Sequence, residues 1–127
     1  MKKSDNIILF PDSRKKNKIL KKTVINDISN LSGKIKIAKF GVYDNESNFI
    51  SYSSFDELTN IIKNADFIIS SDSLPAHLAE FYNKPHFILY NQKINFEWLT
   101  PFCKINSTYS TTLRKDEYLE QLKKWIC

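Results

Sequence analysis

Residues that could bind a ligand or take part in catalysis are concentrated in a polar turn between two apolar runs. The first run, Phe67–Ile69, leads into the polar residues Ser70–Ser73, and Pro75 then opens an amphipathic helix carrying His77 before the second run, His86–Tyr90. The free N–H groups and positive dipole end of a helix suit an anion. This pattern predicts strand, polar turn, helix and strand, with the turn at the strand end where open α/β sheets bind ligands. The alternative is purely structural: Ser73 or Asp72 caps the helix.

A second candidate turn follows the first apolar run of the chain, Ile7–Phe10. It contains Pro11–Ser13, with Arg14 and Lys18 close behind. Backbone N–H groups, the Ser13 hydroxyl and a basic side chain together suit a diphosphate. The alternative is a surface turn, but basic residues at a helix start oppose the helix dipole, which favours an anionic partner.

A third candidate loop follows the apolar run Ile35–Phe40. Its acids Asp44 and Glu46 are suited to accept hydrogen bonds from ribose hydroxyls, as acids after a strand do in dinucleotide sites; an exposed polar loop is the alternative. All three loops follow strands, so we expect them to open on one edge of the sheet.

The elements that position these loops follow from hydrophobic periodicity. Alternating short strands and amphipathic helices predict an α/β fold: one Rossmann-like, three-layer domain over residues 1–127 with a mostly parallel sheet of four or five strands. The predicted strands are Ile7–Phe10, Ile35–Phe40, Asp66–Ile69 and Phe87–Tyr90, with a further short one near Cys103–Ile105. The predicted helices are Lys18–Leu31, Phe55–Asn64, Pro75–Tyr82 and Lys115–Ile126. Ser54 and Glu57 form a capping-box pattern before the second helix.

Composition narrows the function classes. The 127 residues suit one domain, and 42% hydrophobic content argues against disorder. No apolar run approaches the ~20 residues of a membrane span, and Met1–Ser13 lacks a signal peptide pattern, so we expect a cytoplasmic protein. The two cysteines have no metal-ligand spacing. The net charge of +5, concentrated in Arg14–Lys22, fits a solvated face, a phosphorylated ligand, an anionic membrane surface or nucleic acid.

The segment SDSLPAHLAEFYNKPHFILYN resembles the C-terminal-domain signature of the heptosyltransferase-like family 9 glycosyltransferases, D-[ST]-G-x-x-H-[LI]-A followed by a Pro-led strand. The matching residues are Asp72, Ser73, His77, Leu78, Ala79 and Pro85. ILFPDSRKKNKIL is similar to the start of the same domain and offers Pro11, Ser13 and Lys18, and SSFDELTNIIKNADFII is similar to the helix and strand between them. The resemblance implies the donor-binding half of a GT-B fold.

By that resemblance, the residues that bind a nucleotide-diphosphate sugar are Ser13, Lys18, Glu46, Asp72, Ser73, Leu74 and His77. Ser13 and Lys18 would contact the diphosphate. Ser73, His77 and the backbone of Leu74 would hold the phosphates or the sugar at the helix N-terminus.

The acids have the remaining implied roles. Asp72 would orient the turn or contact the sugar, and Glu46 or Asp44 would lie near the ribose. The resemblance also implies cell-surface glycan or lipopolysaccharide biosynthesis at the inner face of the membrane. The donor sugar is expected as substrate, with no cofactor and no metal.

Departures from the family pattern leave alternatives open. Leu74 and Asp12 stand where the family has glycine, Leu20-Lys21 replaces Trp-Pro, and nothing corresponds to the acceptor-binding domain that carries the catalytic base. The first hypothesis is a donor-binding half that works with an acceptor-binding domain in trans or by self-association. The second is a non-catalytic nucleotide or anion-binding module. The third, a small basic nucleic-acid-binding domain, lacks a supporting motif, so no nucleic acid partner is expected.

Overall fold

The computed structural model describes residues 6–13, 19–41, 48–71, 73–89, 107–110 and 115–126. The strands are β1 (Ile7–Phe10), β2 (Ile35–Phe40), β3 (Phe49–Tyr52), β4 (Phe67–Ser71), β5 (His86–Leu89) and β6 (Ser107–Ser110). The helices are α1 (Lys22–Ser29), α2 (Phe55–Asn64), α3 (Leu74–Phe81) and α4 (Lys115–Ile126). None of the helices described combines the length and the apolar character that a membrane span requires.

The strands form one sheet in the order β3-β2-β1-β4-β5-β6, and every neighbouring pair is parallel. Helices follow strands as crossover connections, which confirms the predicted α/β class with a parallel sheet. The chain builds outward from β1 to β3 on one side and then from β4 to β6 on the other. The order therefore reverses between β1 and β4, and such a switch point is where doubly wound sheets bind ligands.

The sheet has six strands rather than four or five. The additional edge strand is β3, Phe49–Tyr52, which was not predicted although three of its four residues are apolar. So short a run shows little periodicity, and only Tyr52 of its residues is buried. The strand predicted near Cys103–Ile105 lies outside the described residues, and β6 begins after it at Ser107.

The first helix begins at Lys22, later than the predicted Lys18, which itself lies outside the described residues. Lys21 has an extended backbone, and the N–H of Leu20 donates to the carbonyl oxygen of Pro11 at 2.9 Å. Leu20 is nonetheless buried in the core. Its apolar side chain fitted a helical spacing, but it packs from the connection between β1 and α1.

Two apolar clusters lie on the two faces of the sheet. Strands β1, β4 and β5 are buried on both faces, as expected for central strands of a parallel sheet. On one face, residues of these strands pack against Val24 and Ile28 of α1 and Tyr118 and Leu122 of α4. On the other face, the core is completed by α2 and α3, with Ile62 fully buried. Each fully buried aliphatic side chain of this kind stabilises the fold by ~1.5–3 kcal/mol.

The predicted cap of α2 is present, with one difference in the return bond. The Ser54 hydroxyl accepts a hydrogen bond from the Glu57 N–H at 3.1 Å. Glu57 reaches one residue further back than in a capping box and accepts from both the N–H and the hydroxyl of Ser53, at 3.0 and 2.7 Å. The Ser53 hydroxyl is the main cause that holds the pKa of Glu57 below its usual value.

Candidate functional site

The candidate site lies at the switch point, where the carboxyl ends of β1 and β4 are adjacent. Phe10 of β1 is paired with Ser70 of β4, so the loop beginning at Pro11 and the turn at Ser73 leave the sheet side by side. The Ser71 hydroxyl joins them by donating to the carbonyl oxygen of Asp12 at 3.1 Å. Two of the three predicted loops therefore meet as expected.

Ser70 and Ser71 are strand residues, although the sequence pattern placed them in the turn. Pairing with β5 extends β4 to Ser71, opposite Leu89, and both serines are fully buried. The Ser70 hydroxyl donates to the carbonyl oxygen of Ser71 at 2.7 Å, and its oxygen lies 3.3 Å from that of Ser73. The buried hydroxyls thus satisfy each other and hold the start of the turn in place.

Ser73 is the N-cap residue of α3, but its side chain does not cap the helix. Its hydroxyl donates instead to the carbonyl oxygen of Ser71 at 3.2 Å, so the expectation that Ser73 caps α3 through its side chain is wrong. Asp72, the other predicted cap, lies outside the described residues. Ser73 is half-buried, and its hydroxyl lies against Ser70 and Ser71 at the carboxyl edge of the sheet.

The first turn of α3 has few N–H groups to offer an anion. Pro75 has none, and the N–H groups of Ala76 and His77 point at the carbonyl oxygen of Ser73, at 3.0 and 3.4 Å. The N–H of Leu74 is left as the donor in this turn among the described residues. The Leu74 side chain is 49% exposed at the same position.

Four of the predicted site residues lie in the two segments that meet at the switch point. Ser13 lies in the loop after β1, half-buried, and Ser73, Leu74 and the exposed His77 lie along the start of α3. The other predicted residues, Lys18, Glu46 and Asp72, lie outside the described residues.

Lys39, which was not predicted, also lies at this edge, beside Asp12 of the predicted turn. The Nζ atom of Lys39 is 3.9 Å from Oδ1 of Asp12, and the two side chains are 31% and 35% exposed. Burial, and secondarily the negative charge of Asp12, raises the pKa of Tyr52. Lys39 thus offsets a carboxylate that would otherwise repel a phosphate at the switch point. The available sequence signal was a lysine interrupting an apolar strand one residue before its end.

This arrangement is suited to binding. Hydroxyls, one helix N–H and a lysine are the groups that hold a phosphate or a sugar hydroxyl. Among the described side chains, no group of three or more His, Cys, Asp or Glu is placed to hold a metal ion.

Comparisons with known proteins give matches in structure only. No family model and no curated protein matches the chain. The E. coli heptosyltransferase WaaC with ADP superposes with a TM-score of 0.69 at 13% identity, over 95% of this chain and 44% of WaaC. E. coli ADP-heptose lipopolysaccharide heptosyltransferase II gives 0.68 at 15% identity, over 99% of this chain and 47% of that enzyme. A conserved protein from Enterococcus faecalis V583 gives 0.59 at 11% identity, over 94% of this chain and 98% of that one.

These similarities define the fold class. The chain has the α/β fold found in heptosyltransferases and spans about half the length of those it matches. The Enterococcus structure has the same fold over almost its whole length. The same unit therefore occurs both as part of a larger enzyme and in a chain of similar size.

Proposed function

We propose that this chain is the donor-binding half of a heptosyltransferase-like glycosyltransferase and binds a nucleotide-diphosphate sugar. The observation that carries the proposal is the switch point between β1 and β4, where the loop of Ser13 and the start of α3 meet. Ligand binding at that point is the general rule for doubly wound sheets. The fold shared with heptosyltransferases, one of them solved with ADP, supports this choice of ligand.

In this proposal the diphosphate lies against the start of α3. The N–H of Leu74 and the hydroxyl of Ser13 donate to phosphate oxygens, and the exposed His77 reaches the phosphates or the sugar. Lys18, Asp72 and Glu46 stay predictions for the diphosphate, the turn and the ribose. Donors that are fixed before the reaction stabilise the charge that develops on a leaving nucleoside diphosphate without reorganising.

Transfer would require a second unit that binds the acceptor. An acceptor aligned with the donor in a site closed to water is what a two-domain cleft supplies. We propose that this unit is an acceptor-binding domain in trans or a second copy of this chain. The place of action would be the cytoplasmic side of a membrane that carries the glycan.

A non-catalytic nucleotide or anion-binding module is the second candidate. Asp12 favours it because its carboxylate lies 3.9 Å from the Lys39 ammonium group and partly neutralises the positive charge at the site. The exposed Leu74 side chain favours it too, because it narrows the approach of a phosphate to the backbone. The Enterococcus protein, which has a similar length, is an example of this fold in a chain that is not part of a larger enzyme of the heptosyltransferase size.

Isothermal titration of the full chain with ADP, UDP, GDP, CDP and pyrophosphate tests nucleotide binding, which both candidate functions require. We expect one nucleoside diphosphate to bind more tightly than pyrophosphate, and to stabilise the fold by ~2.7 kcal/mol at 100 times its Kd. Release of nucleoside diphosphate from a nucleotide sugar then separates the enzyme from the module. A chain that binds none of the nucleotides is not a donor-binding half.

His77→Ala tests the site itself. The His77 side chain is exposed, so its removal should weaken nucleotide binding without lowering the unfolding temperature. Glu80→Ala on the same helix is the control for changes in α3. If the His77 variant binds as tightly as the parent chain, the role assigned to His77 is wrong.

A further inference from the structure

An exposed aromatic ring stands at the carboxyl edge of the sheet, where the candidate site lies. Phe40, the last residue of β2, is 60% exposed. Its ring meets the Tyr52 ring edge to face, with centroids 5.8 Å apart and planes at 69°. Tyr52 is buried and packs in the same manner on Phe10, at 6.1 Å. The exposed ring is therefore the outer end of a row of three aromatic residues that begins in the core.

The backbone turns away directly after Phe40. Gly41 has φ +67°, a left-handed conformation that glycine adopts at no steric cost. Its N–H donates to the carbonyl oxygen of Tyr52 at 2.9 Å, which fixes the turn against the end of β3. The strand thus ends at a defined point and presents Phe40 at the sheet edge.

Phe40 is also in register with the switch point. Leu9 of β1 is paired with Ile37 of β2, so three residues further along Phe40 is level with Asp12. The carbonyl oxygen of Asp12 accepts the hydrogen bond from Ser71 of β4. Phe40 is therefore two strands from the turn that begins α3, a separation of about 10 Å at the usual spacing between strands. A nucleoside diphosphate extends over a comparable distance from its β-phosphate to its base.

We infer that Phe40 is the platform on which the base of a bound nucleotide stacks. This inference rests on the proposed function and makes it more specific, because it assigns the ligand class to nucleosides rather than to diphosphates in general. Every base has an apolar π-face, and stacking on an aromatic side chain contributes substantially to affinity. In doubly wound sheets the ligand lies in the crevice outside the carboxyl ends of the strands, and Phe40 is the last residue of β2 at that edge.

Phe40 differs from the other exposed apolar side chains at this edge. Leu74 and Ile19 are aliphatic, and neither offers a π-face. Phe55 begins α2 after the edge strand β3, which β2 separates from the switch point. A second copy of this chain covering the whole edge would bury all four, and the experiment includes that outcome.

The test compares Phe40→Ala with the control Phe81→Ala. Phe81 is 78% exposed and meets Tyr82 edge to face, but it ends α3 at the opposite edge of the sheet. Isothermal titration of each full-length variant with ADP and with pyrophosphate separates the contribution of the nucleoside to the affinity from that of the diphosphate. We expect Phe40→Ala to weaken ADP binding about five-fold or more and to leave pyrophosphate binding unchanged. Phe40→Trp, which keeps an aromatic ring, should retain the affinity for ADP. Phe81→Ala should bind both ligands as the parent does.

Each other result has a definite meaning. If the parent prefers ADP to pyrophosphate and Phe40→Ala retains that preference, the inference is wrong and the proposed function stands. Equal losses for both ligands would show that Phe40 supports the phosphate loop rather than the base, which also overturns it. A change in oligomeric state by sedimentation with ADP binding intact would assign the ring to an interface. If the parent binds neither ligand, the proposed function fails first.

Discussion

Ser71 of β4 donates a hydrogen bond to the carbonyl oxygen of Asp12, 59 residues away in the loop after β1. The bond joins the two strand ends between which the order of the sheet reverses. It orients the loop of Ser13 relative to the start of α3, and both belong to the candidate site. A small buried hydroxyl thus sets the geometry of the switch point.

Removing that hydroxyl with Ser71→Ala should lower the free energy of unfolding by about 1 kcal/mol, because the Asp12 carbonyl loses its partner. Nucleotide binding should weaken as the loop loses its fixed position. Urea unfolding and isothermal titration measure the two effects. Ser51→Ala, at an exposed position of β3, is the control and should change neither. A Ser71 variant as stable as the parent would mean that this bond contributes nothing.

Replacing Leu74 with glycine should increase the affinity for a diphosphate. The exposed side chain stands beside the Leu74 N–H group, which has no hydrogen-bond partner among the described residues, and its removal lets a phosphate approach that donor. One recovered hydrogen bond to an anion corresponds to about a ten-fold lower Kd, or ~1.4 kcal/mol. Titration with pyrophosphate measures this directly.

The matched control for that change is Phe55→Gly, which alters the same position in the first turn of α2. Both variants introduce the conformational freedom of glycine at a helix start, so both should lose a similar, small amount of stability. Only Leu74→Gly should bind more tightly. An unchanged or weaker affinity in that variant would show that the phosphate does not bind at the start of α3.

Neutralising Lys39 should weaken binding of a phosphorylated ligand at low salt. Lys39 offsets the Asp12 carboxylate at 3.9 Å, and without it Asp12 repels the ligand. Because both side chains are about one third exposed, solvent screening limits the effect of Lys39→Gln to ~0.5–1 kcal/mol, or a few-fold in Kd. Lys36→Gln removes the same charge from an exposed position of the same strand and is the control. Equal effects of the two variants would indicate a long-range charge effect only.

Acid should destabilise the fold through His86. Burial is the main cause that lowers the pKa of His86 below its usual 6.5, although the Lys84 carbonyl at 2.7 Å and the charge of Glu80 act in the opposite direction. The unfolded chain therefore binds a proton more readily than the folded one. The contribution of His86 to the free energy of unfolding is therefore fully present above about pH 6.5 and is lost as the pH drops below it.

Urea midpoints between pH 8 and pH 5 measure this loss, which amounts to ~1.4 kcal/mol for each pKa unit of lowering. His86→Gln should remove most of the slope in this range. His77→Gln, on the exposed side of α3, should retain it apart from a small change, because the charge of His77 contributes to lowering the pKa of His86. An unaltered slope in His86→Gln would assign the acid sensitivity to other groups.

Local sequence patterns were sufficient for the elements that bury continuous apolar runs or carry a cap. Ile7–Phe10 and Ile35–Phe40 were predicted with their observed bounds, and so was α2 with its Ser54 cap. Patterns failed where tertiary contacts decide the structure. Leu20 fitted a helix but packs from a loop, and β3 forms only because β2 lies beside it. Pairing with β5 extended β4 over Ser70 and Ser71, which looked like turn residues.

The sequence by itself determined that strands and helices alternate, and therefore that the strands are parallel and their following loops share one edge. It could not determine which loops are neighbours, because strand order depends on pairing between residues far apart in the chain. The tertiary structure placed β4 beside β1 and so brought the turn at Ser73 against the loop at Asp12. The pairing of β2 with β1 placed Lys39 near Asp12, and its pairing with β3 placed Phe40 on Tyr52. Local periodicity determines which face of an element is buried, but hydrogen bonding and packing between distant strands decide which side chains meet.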